Sequence, residues 1–101
     1  MSPDSFREIA LSLAGATEGA HFDRQAFRTR RIFATLAADG QSANLCLTTN
    51  DQEHWCDRLP DAVSPVPNRW GARGWTVVRL DRIDPADLDA LLRIAWARAT
   101  S

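Results

Sequence analysis

The run from Arg69 to Leu80, RWGARGWTVVRL, constrains the fold of this chain more than any other stretch. It sets two tryptophans, two glycines and three arginines into a turn that leads directly into a strand. Glycine reaches backbone conformations that other residues resist. Bulky aromatics this close to it specify a shaped turn and not a flexible linker. Trp75 to Leu80, rich in β-forming residues, then reads as the last long strand.

The remaining elements are read from caps and periodicity. Ser2-Pro3 opens a helix, with a capping hydroxyl followed by a proline at the first turn, where its missing N–H costs nothing. Phe6, Ile9, Ala10 and Leu13 recur at helical spacing, and Gly15 stops the helix. Thr17 to Asp23 reads as a polar loop. Residues 26–37, AFRTRRIFATLA, split into two strands turning near Arg30. A turn at Asp39-Gly40 leads into a third strand, Asn44 to Thr48. Asn50 and Glu53 have capping-box spacing and open a short helix that buries Trp55 and Leu59. Pro60, Pro65 and Pro67 impose an extended crossing with a short edge strand near Val63. Asp84 caps the final helix, with Pro85 at its first position and Ile83 and Leu88 placed as a hydrophobic staple. Leu88, Leu91, Leu92, Ala95, Trp96 and Ala99 form its apolar stripe. The order predicts a single α+β domain over residues 1–101, in two layers: an antiparallel sheet with helices packed on one face.

Composition removes several function classes. No apolar run approaches the roughly 18 residues needed to span a bilayer, and MSPDSFREIA lacks the basic-then-apolar order of a secretory signal. A cytoplasmic location and no membrane partner are expected. A net charge of −1 argues against a general nucleic-acid coat, yet the charges are patterned. Residues 23–31 hold Arg24, Arg28, Arg30 and Arg31 against Asp23, and residues 69–82 hold Arg69, Arg73, Arg79 and Arg82 against Asp81. Residues 51–61 carry Asp51, Glu53, Asp57 and Asp61 against Arg58. Every basic side chain is arginine, which a GC-rich genome explains without any functional appeal.

Taken in order, the residues resemble the MmcQ/YjbR family of small bacterial proteins. The resemblance rests on Ala10–Glu18 (ALSLAGATE), His21-Phe22, Ala26-Phe27-Arg28, Ile32 to Leu36, Asp39-Gly40, Trp70-Gly71 and Gly74-Trp75-Thr76. Leu80, Asp84, Leu88, Leu91-Leu92, Ala95 and Trp96 complete it. It implies a compact fold related to frataxin-like and double-wing arrangements, commonly labelled DNA-binding, with no cofactor and no catalytic residue. Two departures bear on that label. Arg30-Arg31 stands where the family usually has Gly-Lys, and Cys46 stands where it often has a strand lysine.

The candidate sites follow from strand alternation. With Ile32, Ala34, Leu36, Leu45, Leu47, Val78 and Leu80 turned inward, Phe33, Cys46, Trp75, Val77 and Arg79 share the outer face. That predicts a surface on which Phe33 and Trp75 stack on bases. Arg28, Arg30 and Arg31 at the first hairpin, and Arg69, Arg73 and Arg79 around the tryptophan turn, would contact phosphates. The expected function is therefore non-enzymatic, sequence-independent DNA binding. The alternative is a protein- or peptide-binding or self-associating adaptor that uses the same aromatic face. Cys46 and Cys56 read as reduced thiols. Cys46, Cys56, His21 and His54 do not read as a metal site, because His54 and Cys56 point about 200° apart on a helix. Neither a metal nor a cofactor is expected.

Overall fold

The computed structural model describes residues 1–101, and its first helix starts where the cap predicts. The Ser2 hydroxyl accepts the Ser5 N–H at 3.1 Å, and α1 runs Pro3–Ser12 with Phe6 and Ala10 buried. Six strands follow: β1 (Thr17–His21), β2 (Arg24–Arg28), β3 (Ile32–Leu36), β4 (Ser42–Cys46), β5 (Val63–Pro65) and β6 (Trp75–Arg79). Helix α2 (Thr49–Arg58) joins β4 to β5, and α3 (Pro85–Thr100) closes the chain. The Asp84 carboxylate accepts the Asp87 N–H at 2.8 Å, the N-cap bond predicted for α3.

All six strands form one antiparallel sheet in the order β1-β2-β3-β4-β6-β5. The α+β class, with the helices gathered on one sheet face, stands as predicted. Phe6 from α1, Leu13 just after it, Trp55 from α2 and Leu88, Leu91, Leu92 and Ala95 from α3 join one apolar cluster with Ala34, Leu45 and Val78 of the sheet. Phe6 meets Phe27 edge-on with ring centroids 5.5 Å apart, a favoured aromatic geometry.

Four expectations need correction. Thr17–His21 is not a loop but an edge strand, paired residue for residue with β2. It is almost wholly solvent-exposed, so it lacks the apolar alternation that marks a strand in sequence. Strand β4 ends at Cys46, two residues before the predicted limit, because Thr48 is needed elsewhere. Thr48, not Asn50, caps α2: its hydroxyl accepts the Asp51 N–H at 3.1 Å and donates to the Asp51 carboxylate at 3.0 Å. The last correction is Phe33, which is fully buried within the core cluster and is not on the outer face. Arg28 pairs with Ile32 and Phe27 with Ala34, so Phe33 is an extra residue with no opposite number. Such a bulge re-aims a side chain, and simple alternation across it fails.

The tryptophan turn is as tight as its composition implies. A short 3₁₀ turn at Gly71–Arg73 is closed by Gly74, whose φ is +106°. A Cβ on Gly71 would lie 1.9 Å from the Val66 carbonyl oxygen, and one on Gly74 would lie 1.9 Å from that of Leu47. No side chain fits at either position. The turn is pinned from α2 by Gln52, a buried side chain whose Nε2 donates to Gly71 O at 2.9 Å, Trp75 O at 3.0 Å and Thr76 Oγ1 at 3.2 Å. Thr76 in turn donates to Gly74 O at 2.8 Å.

Gln52→Leu keeps the volume and strands these acceptors, so it should cost about 1–3 kcal/mol in urea unfolding. Gly74→Ala should cost at least as much, since it adds a backbone clash to an unfavourable φ. A Gln52→Leu protein as stable as wild type would contradict the anchoring role.

Candidate nucleic-acid interface

Behind the helices, the sheet leaves a concave outer face. Residues Arg24, Thr35, Asn44 and Trp75, one from each of β2, β3, β4 and β6, form its floor. The β1–β2 hairpin rises on one side with Phe22 at its apex, and the segment after β5 folds back on the other with Val66, Asn68 and Trp70. The open cleft between them is about 340 Å³. Phe22 is 93 % exposed and Trp70 45 %, so two aromatic side chains stand free on opposite walls.

The floor is polar and partly satisfied. Arg24 lies across it, donating from Nε to Thr35 Oγ1 at 2.8 Å and from a terminal nitrogen to Thr35 O at 3.3 Å. Asn68 Oδ1 accepts the Trp70 N–H at 2.8 Å, which orients the Trp70 wall. Two arginines bracket that indole: the guanidinium carbon of Arg73 is 5.2 Å and that of Arg69 5.8 Å from the ring centroid. Both distances lie within cation–π range.

The arginines singled out in the sequence do not form one surface. Arg28, Arg30 and Arg31 occupy the β2–β3 turn, next to the Cys46 and Trp75 ends of β4 and β6. Arg79 pairs with Ser42 at the other end of β6. Arg24 lines the cleft, and Arg69 and Arg73 lie against Trp70, a residue of its wall. Arg31 is engaged in the fold itself, where its guanidinium donates to Arg98 O at 2.6 Å and Ser101 O at 3.5 Å and holds the carbonyl end of α3. None of the six pairs with a carboxylate, since the ion pairs join Arg7 to Asp4 and Glu18, and Arg93 to Asp89. No acidic residue of α2 forms an ion pair with any of the six.

Of the two predicted stacking residues, Trp75 lines the cleft and Phe33 cannot reach it. Phe22 and Trp70 line it together with Trp75. The polar composition of Thr17–Asp23 hides the hairpin that lifts Phe22. No three His, Cys, Asp or Glu side chains converge as metal ligands. Burial, reinforced by Asp57, pushes the Cys56 thiol above its ordinary pKa, away from the thiolate that nucleophiles and metal ligands need.

The YjbR family model matches residues 11–98 of the chain. The protein belongs to the YjbR family. Its fold is shared by two solved structures of low sequence identity. A Deinococcus radiodurans protein, DR2400, described as a DUF419 domain, superposes with a TM-score of 0.78 at 20 % identity, over 93 % of this chain and 75 % of its own. A Pseudomonas syringae protein gives a TM-score of 0.74 at 12 % identity, over 98 % of this chain and 99 % of its own. A search of curated proteins found no match. At these identities the likeness is one of fold. No helix of this YjbR domain is long and apolar enough to cross a membrane.

Arg31→Ala should lower stability by about 0.5–1 kcal/mol through loss of the α3 carbonyl contacts. Its neighbour Arg30, exposed and unbonded, should tolerate alanine with no measurable change in the urea midpoint. Equal effects at the two positions would contradict the capping role.

Proposed function

We propose that this YjbR domain is a non-enzymatic module that binds nucleic acid weakly and with little sequence preference, through the outer sheet face. One observation carries the reading. Two arginines without carboxylate partners lie against a half-exposed indole, on the rim of a cleft walled by a second free aromatic. Guanidinium groups bind phosphate oxygens with matched geometry, while aromatic faces accept any base. Arg69 and Arg73 are the principal phosphate contacts, with Arg24 nearer the floor. Arg28 and Arg30 extend the positive surface past one end of the sheet, and Arg79 past the other.

The modest net charge fits this division. Binding that relied on bulk positive charge would be weak here, whereas a local cluster beside aromatics needs few cations. Counterion release still makes affinity fall as salt rises.

Fluorescence anisotropy of labelled single- and double-stranded DNA tests the reading at about 50 and 200 mM salt, a range over which phosphate contacts weaken strongly. Salt-sensitive binding is expected, with Arg69→Glu/Arg73→Glu reducing affinity about ten-fold or more. Arg30→Glu/Arg31→Glu should have the smaller effect. A larger loss in that second variant would move the site to the β2–β3 turn. No binding at either salt, with a concentration-dependent mass, would assign the aromatic face to a protein partner instead.

A further inference from the structure

Phe22 is the sole non-glycine residue with a positive φ, at +58°, and it is also the most exposed of the large apolar side chains. It occupies the first of two loop positions between the paired residues His21 and Arg24. In two-residue hairpins a positive φ at that position is taken by glycine, asparagine or aspartate, because a bulkier side chain crowds the backbone in that region. A bulky side chain in that conformation is an outlier. Phenylalanine is thus unfavourable twice over, in backbone strain and in apolar exposure. Neither is offset by packing, for its one aromatic contact is the adjacent His21, with ring centroids 4.8 Å apart and that ring exposed as well.

What Phe22 faces explains its presence. Across the cleft stands Trp70, and between them lie groups with unused hydrogen-bonding capacity. The Asn44 carboxamide makes no hydrogen bond within the protein, and the Asn68 amide nitrogen makes none either, its oxygen alone being engaged. An amide offers both a donor and an acceptor, so such a floor meets the polar edge of a heterocycle without demanding one particular base. A cleft of about 340 Å³ is at the small end of ligand sites. That is room enough for one planar ring system.

We infer that the cleft takes one unpaired nucleobase between Phe22 and Trp70, its edge against Asn44 and its phosphates toward Arg69 and Arg73. The inference rests on the nucleic-acid reading above and deepens it, because it makes the domain a reader of single strands. A duplex keeps its bases stacked and paired, so it could engage the arginines but not the cleft. Phe22 is then retained for contact although it destabilises its own hairpin.

The test is Phe22→Gly, which removes the ring and suits the backbone. Its thermal midpoint should equal or exceed that of wild type. Its affinity for a labelled single-stranded oligonucleotide should fall roughly ten-fold or more, the scale of losing one base–aromatic stack. Duplex binding should be weaker in wild type and unchanged by the substitution. Trp70→Ala should reproduce the single-strand loss. A free nucleoside monophosphate that competes with the strand would assign the cleft to nucleotides at large. Failure to compete, with strand binding still lost in Phe22→Gly, would assign it to bases held within a chain. Salt-sensitive binding that is equal for duplex and single strand and indifferent to Phe22→Gly would overturn the base-insertion inference and leave the arginine reading standing. Absence of all binding would overturn both.

Discussion

The Gln52 carboxamide is the constraint on which the rest of the molecule depends. It comes from α2 on the helical side, yet it bonds Gly71, Trp75 and Thr76 in the turn that shapes the other side. Residues 66–74 would otherwise be a loop of one proline, two glycines and two arginines with little apolar burial of its own. With three acceptors drawn onto one amide and two glycines in van der Waals contact with neighbouring carbonyls, the loop has one conformation. That conformation places Trp70 on the cleft wall with Arg69 and Arg73 against it. A polar group this buried is costly unless satisfied, and here no buried side-chain nitrogen or oxygen lacks a partner.

The same criterion, what each polar group is bonded to, separates structural arginines from free ones. Arg7 pairs with Asp4 and Glu18, Arg93 with Asp89, and Arg31 holds the end of α3. Arg69 and Arg73 meet only an indole, an interaction worth about 0.5–1 kcal/mol at an exposed site. A phosphate displaces such a contact more readily than it displaces a carboxylate. Which arginines could serve a ligand therefore follows from what each already holds and not from how many the chain contains.

Much of this architecture was legible in the sequence because it rests on local signals. Ser2, Asp84 and the Leu88–Ala99 stripe mark the outer helices, and the turn at residues 29–31 is flanked by clear strands. The family resemblance came from the whole ordered set of residues and is matched by the YjbR model. The misses share a physical cause, since each depends on a non-local partner. Thr17–His21 becomes a strand by pairing with β2, not through its own propensities. Phe33 turns inward because β2 and β3 are out of step by one residue, and no local pattern announces a bulge. Gln52 looks like any surface glutamine until the turn that it anchors is folded beneath it. The cleft shows the same causes: Trp75 lines it, Phe33 lies in the core, and Phe22 sits on a hairpin that the sequence alone reads as a loop.

The claim that the outer face, and not the β2–β3 turn, is the binding surface is tested most directly by nuclear magnetic resonance. A ¹⁵N-labelled domain would be titrated with a short single-stranded oligonucleotide while the backbone and indole signals are followed. The account predicts progressive shifts at residues 21–24 and 68–75, including the Trp70 and Trp75 indole N–H signals, with residues 28–31 little changed. Shifts confined to residues 28–31, or a spectrum indifferent to the oligonucleotide, would contradict it.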